Sequence, residues 1–413
     1  MPTKEMALDL FRPKTLVVVG AGTAGIQGVC HYLAYLASHG WIITLIHSPK
    51  INILGIGEST NPPFVEALED GANFNILDDT EKLDATLKFG THYVNWRDNP
   101  FTVPVLTGHA ALHINTFKLK EFALPRLKSI WGDKFQIIEG TVSVLENYEE
   151  SVRVVVDDKD YYFDYAVDNR GFPDSYDDYN IIEDNPVNHA LIHNTPERLD
   201  LNATLHQATP DGWMFGVPLT SRTSYGYLFN DKLTTVEQAK INFSKEINVP
   251  VEELNNIEYK FKSYYANKVL DKRIIKNGNR AVFFEPMFAN SLWLYKNIDK
   301  AFISYMKGFF TEEKTNEIFN NISQDVEELI CYFYHGGSIY NTEFWQLVKP
   351  YASKKLENSR SFNVMKSLMR RQYKFKQFDP TVNEYSWVFG EKHMFSIDEK
   401  LGYNYFSAPD ENN

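Results

Sequence analysis

The stretch LVVVGAGTAG, residues 16–25, decides the fold of this chain. Its first four residues form a short, continuous apolar run of the kind that makes a buried parallel strand. From Ile26 to Ala37, apolar residues recur every three to four positions, which predicts a helix with one buried face. The run WIITLI, residues 41–46, predicts a second strand. These three elements together predict a βαβ unit and an α/β fold.

Three glycines lie at the predicted turn between the first strand and the helix. Gly20 allows a tight turn, Gly22 lets the backbone approach a pyrophosphate, and Gly25 permits close packing of the helix on the strand. The helix start, with Thr23 and Ala24 between the glycines, offers free N–H groups and the positive end of the helix dipole. This context favours a dinucleotide site over a simple glycine turn.

Composition and charge narrow the class of protein. The chain has 413 residues, enough for two subdomains, and its net charge of −12 argues against nucleic acid or an anionic membrane as the main partner. No apolar run reaches membrane-spanning length, and the N-terminus lacks the apolar core of a signal peptide. Cys30 and Cys331 form neither a disulfide framework nor a metal-ligand spacing, so no metal and a cytoplasmic location are expected.

The end of the second strand and the loop after it bear on cofactor binding. A carboxylate usually ends this strand and binds the cofactor ribose, but this chain has His47 there, so ribose recognition should be atypical. The loop GIGESTNPP, residues 55–63, combines glycines, a carboxylate, hydroxyls and prolines. It is either a surface turn or a rigid loop that touches the cofactor through Gly57, Glu58 and Ser59.

Three later segments carry residues suited to a buried site. KFGTHYVNW, residues 88–96, is β-prone but begins with Lys88, which without further context would be an exposed strand lysine. FDYAVDNRGF, residues 163–172, is typical of a strand that enters a turn, where Asp168 could approach a flavin. GWMFGVPL, residues 212–219, places a tryptophan, a phenylalanine and a proline at the start of a strand.

In this order, the segments resemble flavin-dependent halogenases of the tryptophan-halogenase type. That family has a GxGxxG site, a GVGEAT-like loop, a lysine before an Asn-Trp pair, a DxSGF turn and the signature WxWxIP. Here the signature is WMFGVP, residues 213–218, with phenylalanine for the second tryptophan and valine for isoleucine. The run NTEFW, residues 341–345, resembles the family's helical domain, so the resemblance spans roughly residues 15–345.

The resemblance implies a fold and its domains. We expect a Rossmann-type FAD-binding domain of the flavin monooxygenase/halogenase type at residues 1–173 with 272–310. A second, largely helical domain at residues 174–271 with 311–413 would cover the substrate. The tail from Tyr373 onward would pack against the pocket or against a neighbouring subunit, so a homo-oligomer is compatible with this scheme.

The resemblance also implies a chemistry. FAD would arrive reduced, as FADH2, from a separate flavin reductase, and with O2 and halide it would yield hypohalous acid. The oxidant would pass Trp213, Phe215 and Pro218. It would then reach Lys88, which matches the family's lysine, beside an electron-rich aromatic substrate. A lysine in an apolar pocket can donate a hydrogen bond to the oxidant or, when deprotonated, accept the halogen.

The segment EPMFANS, residues 285–291, departs from the family's EPLEST. Phe288 replaces the carboxylate that assists the lysine. Ala289 and Asn290 replace the two hydroxyl residues at the halide, which leaves backbone N–H groups, the Asn290 amide and Ser291 to hold it. A less polar site should favour weakly hydrated bromide or iodide over chloride.

Two alternatives stay open at this point. A flavin monooxygenase-like oxidase would keep the cofactor site but would no longer halogenate, as the altered halide segment would allow. A flavoprotein with a binding or sensory role would show no turnover at all.

Overall fold

The structure is a computed structural model that describes residues 12–51, 58–105, 111–255, 257–375 and 390–406. Its strands, in chain order, are β1 (Thr15–Val19), β2 (Ile42–His47), β3 (Glu58–Ser59), β4 (Thr86–Lys88), β5 (Gly90–Val94), β6 (Phe101–Pro104), β7 (Ala111–Ile114), β8 (Phe135–Glu139), β9 (Val142–Tyr148), β10 (Ser151–Val156), β11 (Lys159–Phe163), β12 (Tyr165–Asp168), β13 (Tyr179–Ile181), β14 (His189–Thr195), β15 (Thr204–Thr209), β16 (Gly212–Pro218), β17 (Thr223–Phe229), β18 (Ile257–Lys260), β19 (Tyr264–Ala266), β20 (Leu270–Asp271), β21 (Ile274–Lys276) and β22 (Val282–Phe283).

The helices in the same part of the chain are α1 (Thr23–Leu36), α2 (Pro62–Ala72), α3 (Ile76–Asp79), α4 (Thr116–Trp131), α5 (Val236–Ile247), α6 (Asn290–Met306), α7 (Glu312–His335), α8 (Glu343–Glu357), α9 (Arg360–Phe375) and α10 (Gly390–Leu401). As predicted, the chain after Ser291 is largely helical where the structure describes it. No helix among the described residues is both long and apolar enough to cross a membrane.

A six-stranded sheet in the order β20–β21–β12–β1–β2–β8 forms the cofactor-type core, and we call it the parallel sheet. β1 pairs in parallel with β2 on one side and with β12 on the other, so their carboxyl ends meet at one edge beside the start of α1. Ligands of open α/β sheets bind at such an edge. The predicted βαβ unit, β1–α1–β2, is therefore confirmed.

A seven-stranded sheet in the order β18–β14–β17–β16–β15–β5–β6, the large sheet, lies next along the chain. Side chains alternate between its faces because the period of a strand is two residues. On the rear face Leu191, Met214 and Tyr227 pack in one apolar cluster with Phe243 of α5. The front face packs in the main apolar core, and part of it lines a cavity.

The β-prone run that begins at Lys88 is split between two sheets. β4 joins β7 and β3 in a three-stranded sheet, the small sheet, whereas β5 joins the large sheet. The chain changes sheets at Phe89, whose side chain is exposed. β5 and β6 lie in the same sheet as β14–β18, although the sequence places them in the other predicted domain. The predicted domain boundaries therefore cut through the large sheet, and the division into two domains stays a prediction.

The C-terminal tail packs against α7. The ring of Phe406 stacks on Tyr332 with centroids 6.0 Å apart, and the Asp398 carboxylate accepts a hydrogen bond of 2.5 Å from the Tyr332 hydroxyl. Arg97 donates to the Leu401 carbonyl oxygen at 2.7 Å, which ties the tail to the end of the β5 region. Residues 390–406 therefore cover the helical part of the molecule, and the rest of the predicted tail segment after Phe375 lies outside the described residues.

Candidate functional site

The glycine turn after β1 has the geometry that the sequence predicted. Gly20 has φ +109°, and a Cβ atom there would lie 2.5 Å from the Asn169 carbonyl oxygen. A Cβ on Gly25 would lie 1.9 Å from the Gly20 carbonyl oxygen, so only glycine allows the helix to pack this closely. A Cβ on Gly22 would meet no described atom within 4 Å, so space is open in front of the helix start.

The start of α1 is open toward this space. Its N-cap is Gly22, and no side chain of the described residues caps it. The first N–H groups of the helix therefore have no partner from within the helix and carry the positive end of its dipole. This is the arrangement that binds phosphate groups in dinucleotide sites.

The open space continues into a cavity of about 380 Å³. Of the residues predicted to form the site, the following line it: Gly22, Thr23, Ala24, Gly25, Glu58, Ser59, Lys88, Phe215, Phe288, Ala289 and Ser291. The structure therefore brings together residues from the glycine turn, the small sheet, the signature segment and the EPMFANS segment.

The front face of the large sheet forms one wall of the cavity. Alternate residues of its strands point there: Ala190, Ile192, Thr204, His206, Phe215, Val217 and Leu228. The Phe215 ring crosses its neighbour Gly226, where a Cβ would lie 2.2 Å from the ring, so this glycine fixes the position of the ring. The wall is mostly apolar, with a polar corner near Lys88.

Glu58 lies beside the helix start. Its Oε1 accepts a hydrogen bond of 3.0 Å from the Thr23 hydroxyl, and Oε2 has no partner among the described residues. Burial raises the pKa of Glu58 from 4.5 to about 7, although the Thr23 hydrogen bond lowers it. A substantial fraction of Glu58 is thus uncharged at neutral pH.

Lys88 is buried at the junction of the small sheet and the cavity, so it is not the exposed strand lysine of the alternative interpretation. Its Nζ donates to the Thr60 carbonyl oxygen at 3.0 Å. Burial lowers the pKa of Lys88 from 10.5 to about 8, and no carboxylate of the described residues contributes to that value. Near pH 8 the amine is therefore divided between its charged and neutral forms.

A chain of hydrogen bonds leads from the cavity into the small sheet. Ser59 Oγ lies 2.7 Å from Thr204 Oγ1, which lies 2.9 Å from His113 Nε2. His113 Nδ1 lies 3.0 Å from Thr86 Oγ1, and the Thr86 hydroxyl donates to the Pro218 carbonyl oxygen at 2.5 Å. Pro218, predicted to line the tunnel, therefore contributes through its backbone and does not line the cavity.

Trp213 lies on the front face of the large sheet beside Phe215, with ring centroids 6.3 Å apart, but outside the cavity. Its indole N–H donates to Glu285 Oε1 at 3.1 Å, and the same oxygen accepts from the Tyr334 hydroxyl at 2.8 Å. Burial raises the pKa of Glu285 to about 8, although these hydrogen bonds lower it. Trp213 is fully buried and does not line the cavity, unlike Phe215 two residues later.

The EPMFANS segment is a strained loop before α6. Phe288 has φ 48° and Ala289 has φ 56°, and two successive non-glycine residues in the left-handed region cost on the order of 1 kcal/mol or more each. Asn290 Nδ2 donates to the carbonyl oxygens of Glu285 and Met287, each at 3.0 Å. These two bonds use both amide hydrogens, so the Asn290 amide holds the loop and has none left for a halide.

The remaining predicted cofactor residues lie off the cavity or outside the described residues. Asp168 pairs with Arg170 at 2.8 Å, and although burial would raise its pKa, the arginine lowers it. His47 is buried at the end of β2, with its Nε2 3.9 Å from the Glu139 carboxylate at the end of β8. Gly20 shapes the turn without lining the cavity, and Gly57 lies outside the described residues.

Several cavity residues were not predicted. Asn169 lies between the glycine turn and Gly278, and neither of its amide atoms has a partner among the described residues. His206 is buried beside Trp213 with ring centroids 4.8 Å apart, and burial, aided by Lys88, lowers its pKa to about 3. In the sequence, only the position of Asn169 next to Asp168, a residue expected near the flavin, could have pointed to it. His206 lay in a strand that carried no signal.

The unpaired amide of Asn169, the uncapped start of α1 and the open space at Gly22 fit a dinucleotide such as FAD. An amide buried without a partner costs free energy, and a bound ligand would relieve that cost.

Comparisons with known proteins add a family and a fold. A family model described as tryptophan halogenase matches residues 15–173 and 179–392. Among curated proteins, tryptophan 7-halogenase KtzQ from Kutzneria sp. (strain 744) is 29% identical over 90 residues, which is 22% of this chain and 17% of that protein.

Two solved structures illustrate the likeness in fold. A tryptophan halogenase from Shewanella frigidimarina NCIMB 400 superposes with a TM-score of 0.78 at 16% identity, covering 98% of this chain and 91% of its own. BrvH, a flavin-dependent halogenase from Brevundimonas sp. BAL3, superposes with a TM-score of 0.74 at 16% identity, covering 95% of this chain and 90% of its own.

Proposed function

Because the chain belongs to the tryptophan halogenase family of flavin-dependent enzymes, we propose that it uses FADH2, O2 and halide to halogenate electron-rich aromatic compounds, with Lys88 beside the substrate. The predicted family and fold are confirmed, and the reaction is the proposal. The observation that carries it is the burial of Lys88 in the same cavity as the open start of α1. We also propose that a separate flavin reductase supplies the reduced cofactor.

The dinucleotide would lie across the glycine turn. The N–H groups at the start of α1 would hold its pyrophosphate, and the Asn169 amide would bond to its polar edge. The raised pKa of Glu58 keeps part of this side chain neutral, which limits its repulsion of the phosphates. Bound FAD, once reduced, would supply the reaction with oxygen that converts halide to hypohalous acid.

Lys88 would act on the oxidant inside the cavity. The Thr60 carbonyl oxygen fixes one N–H of the amine and so aims the rest of the group. In its neutral form the amine presents a lone pair, which can accept the halogen; in its charged form it donates a hydrogen bond to the oxidant. The lowered pKa of Lys88 makes both forms available near pH 8.

The substrate would be an electron-rich ring without paired charges of its own. Ile192, Val217 and Leu228 offer an apolar surface, and Phe215 and Phe288 offer rings for contact. Lys260 at the cavity already pairs with Asp231 at 2.8 Å. A free amino acid would need partners for both of its charges once it leaves water. Neutral indoles and phenols should therefore be preferred over free tryptophan.

Product analysis tests this proposal. The protein is supplied with FAD, a reductase, halide and a panel of neutral indoles, phenols and free tryptophan, and the products are identified by mass spectrometry. Halogenated rings, formed faster from the neutral compounds, are the expected result. Hydroxylated rings would support the oxidase that has lost halogenation, and the absence of any flavin oxidation above background would contradict an enzymatic role. A strong preference for free tryptophan would contradict the substrate class.

The halide preference follows from the same loop. Ala289 and Phe288 supply no hydroxyl or carboxylate, and the Asn290 amide is engaged with the loop, so little replaces the water lost by chloride. We expect bromide or iodide to be used faster than chloride at equal concentration. Ala289→Ser adds one hydroxyl and should lower the bromide-to-chloride rate ratio about fivefold, the worth of one hydrogen bond. An unchanged ratio, or a chloride preference in the unaltered protein, would show that these side chains do not shape the halide site.

A further inference from the structure

The hydrogen-bond chain from Pro218 to Ser59 has a direction, because its first acceptor cannot donate. The Thr86 hydroxyl donates to the Pro218 carbonyl oxygen, so its only hydrogen is used there. Thr86 Oγ1 can then meet His113 Nδ1 at 3.0 Å only as an acceptor. His113 Nδ1 must therefore carry a hydrogen.

The next two groups follow from the same count of hydrogens. His113 is fully buried, and burial keeps its ring neutral, so with a hydrogen on Nδ1 its Nε2 is an acceptor. The Thr204 hydroxyl then donates to Nε2, and Ser59, 2.7 Å from Thr204 Oγ1, must donate to Thr204. Every hydroxyl hydrogen of the chain points away from the cavity.

This direction gives Ser59 one chemical property. Its hydrogen is committed to Thr204, so toward the cavity it offers lone pairs only. Ser59 follows Glu58, the partner of Thr23 at the start of α1, and it shares the small sheet with Lys88. It therefore stands between the cofactor end of the cavity and the lysine. The family's GVGEAT-like loop has alanine at this position, so the hydroxyl is a departure of this chain.

We propose that Ser59 is an obligate acceptor that holds the O–H of hypohalous acid and turns its halogen toward Lys88. The proposal rests on the proposed function. No bond is made or broken by Ser59: the oxidant donates one hydrogen bond, and its oxygen and halogen are left for the lysine. Ser59 is the group that contacts the oxidant, whereas Thr204, His113 and Thr86 are positioning residues that act through it.

The chain can be reversed from its far end. Thr86→Val removes the acceptor of His113 Nδ1 without touching the cavity, because Thr86 does not line it. The His113 hydrogen should then move to Nε2 and be donated to Thr204, whose hydroxyl turns to Ser59. The Ser59 hydroxyl becomes free to donate into the cavity. Thr86→Ser keeps the hydroxyl and should keep the original direction.

The first measurement needs no halogenation. In the full protein labelled with nitrogen-15 histidine, NMR should find the His113 hydrogen on Nδ1 in the unaltered chain and in Thr86→Ser, and on Nε2 in Thr86→Val. Free imidazole side chains in water favour the opposite tautomer, so the expected signal is distinctive. A hydrogen on Nε2 in the unaltered protein would overturn the direction of the chain and the proposal with it.

The second measurement is the halogenated product formed per flavin oxidised. Thr86→Val and Ser59→Ala should each lower this ratio about tenfold, the loss expected for one hydrogen bond to a strongly polar ligand, and hypohalite trapped in solution should rise correspondingly. Thr86→Ser should leave the ratio unchanged. Thr102→Val, the same change at a threonine that lies 2.9 Å from His92 Nδ1 but does not line the cavity, is the matched control and should also leave it near the original value.

The two measurements distinguish the direction of the hydrogen-bond chain, the role of Ser59 and the proposed function from one another. A reversed tautomer in Thr86→Val with an unchanged ratio would show that Ser59 does not hold the oxidant. A ratio that falls for indoles and phenols but not for their N-methyl and O-methyl counterparts would show that Ser59 binds the substrate instead. If the unaltered protein forms no hypohalite, the proposed function fails and the oxidant assignment with it, while the tautomer measurement still decides the direction of the chain.

Discussion

Lys88→Met should lower ring halogenation by about 10²–10⁴-fold, the usual cost of removing a positioned acid–base or nucleophilic group, and should leave flavin oxidation intact. Halogenation and flavin oxidation should respond differently because the glycine turn and Asn169, which would hold the flavin, do not depend on the lysine. The measurement is halogenated product against flavin oxidised, with a hypohalite scavenger present so that leaked oxidant cannot halogenate in solution. Lys88→Arg should not restore activity, since guanidinium stays protonated. Halogenation that survives in folded Lys88→Met with the scavenger present would contradict the role of Lys88.

The same variant should be more stable than the parent. The pKa of Lys88 is lowered from 10.5 to about 8, so below pH 8 the folded protein holds a proton less tightly than the unfolded chain does. This destabilisation is complete below pH 8, disappears above pH 10.5, and amounts to at most roughly 3 kcal/mol. Methionine has no charge to bury. The Tm of the cofactor-free protein at pH 7 should therefore rise, whereas the loss of a lysine whose contacts stabilise the fold would lower it.

Gly22→Asp should weaken FAD binding strongly and leave the fold intact. Gly22 has φ −73° and ψ −177°, extended backbone that any residue adopts, and open space in front of it. An aspartate there would fill the space with a negative charge where the pyrophosphate is expected. FAD affinity, measured by fluorescence quenching, should fall at least 100-fold with little change in Tm, because like charges placed side by side in a binding site cost several kcal/mol.

Gly25→Ala is the contrasting variant. Its Cβ would lie 1.9 Å from a backbone oxygen, so it should lower the Tm as well as binding. Tight FAD binding by folded Gly22→Asp would show that the cofactor does not bind at the start of α1.

The sequence predicted those parts of the molecule whose contributing residues lie close together along the chain. The first βαβ unit follows from periodicity and glycine spacing within about 30 residues, and both are local signals. The Ser59–Thr204–His113–Thr86 chain could not be found in this way. Its members come from four strands, and they meet only because β3 and β4 both pair with β7 opposite His113.

Resemblance also has a limit that the structure makes visible. Trp213 and Phe215 belong to one motif, yet only Phe215 lines the cavity, because the indole N–H of Trp213 is held by Glu285. Asn290 aligns with a hydroxyl residue, yet its amide closes a strained loop. A motif places a residue in the chain, whereas its hydrogen-bond partners decide what it does.

The two faces of the large sheet have a consequence for how this protein can change. Ile192, Val217 and Leu228 face the cavity, while Leu191, Met214 and Tyr227, each one to three positions away in sequence, hold the core against α5. Ile192, Val217 and Leu228 are also buried in the main apolar core, so they contribute to folding as well as to the wall of the cavity. A new substrate range can accordingly arise by single substitutions at the first set while the second set stays untouched. Substitutions that conserve side-chain volume at the first set are therefore the best starting point for directed evolution, because large changes of volume there would also weaken the main core.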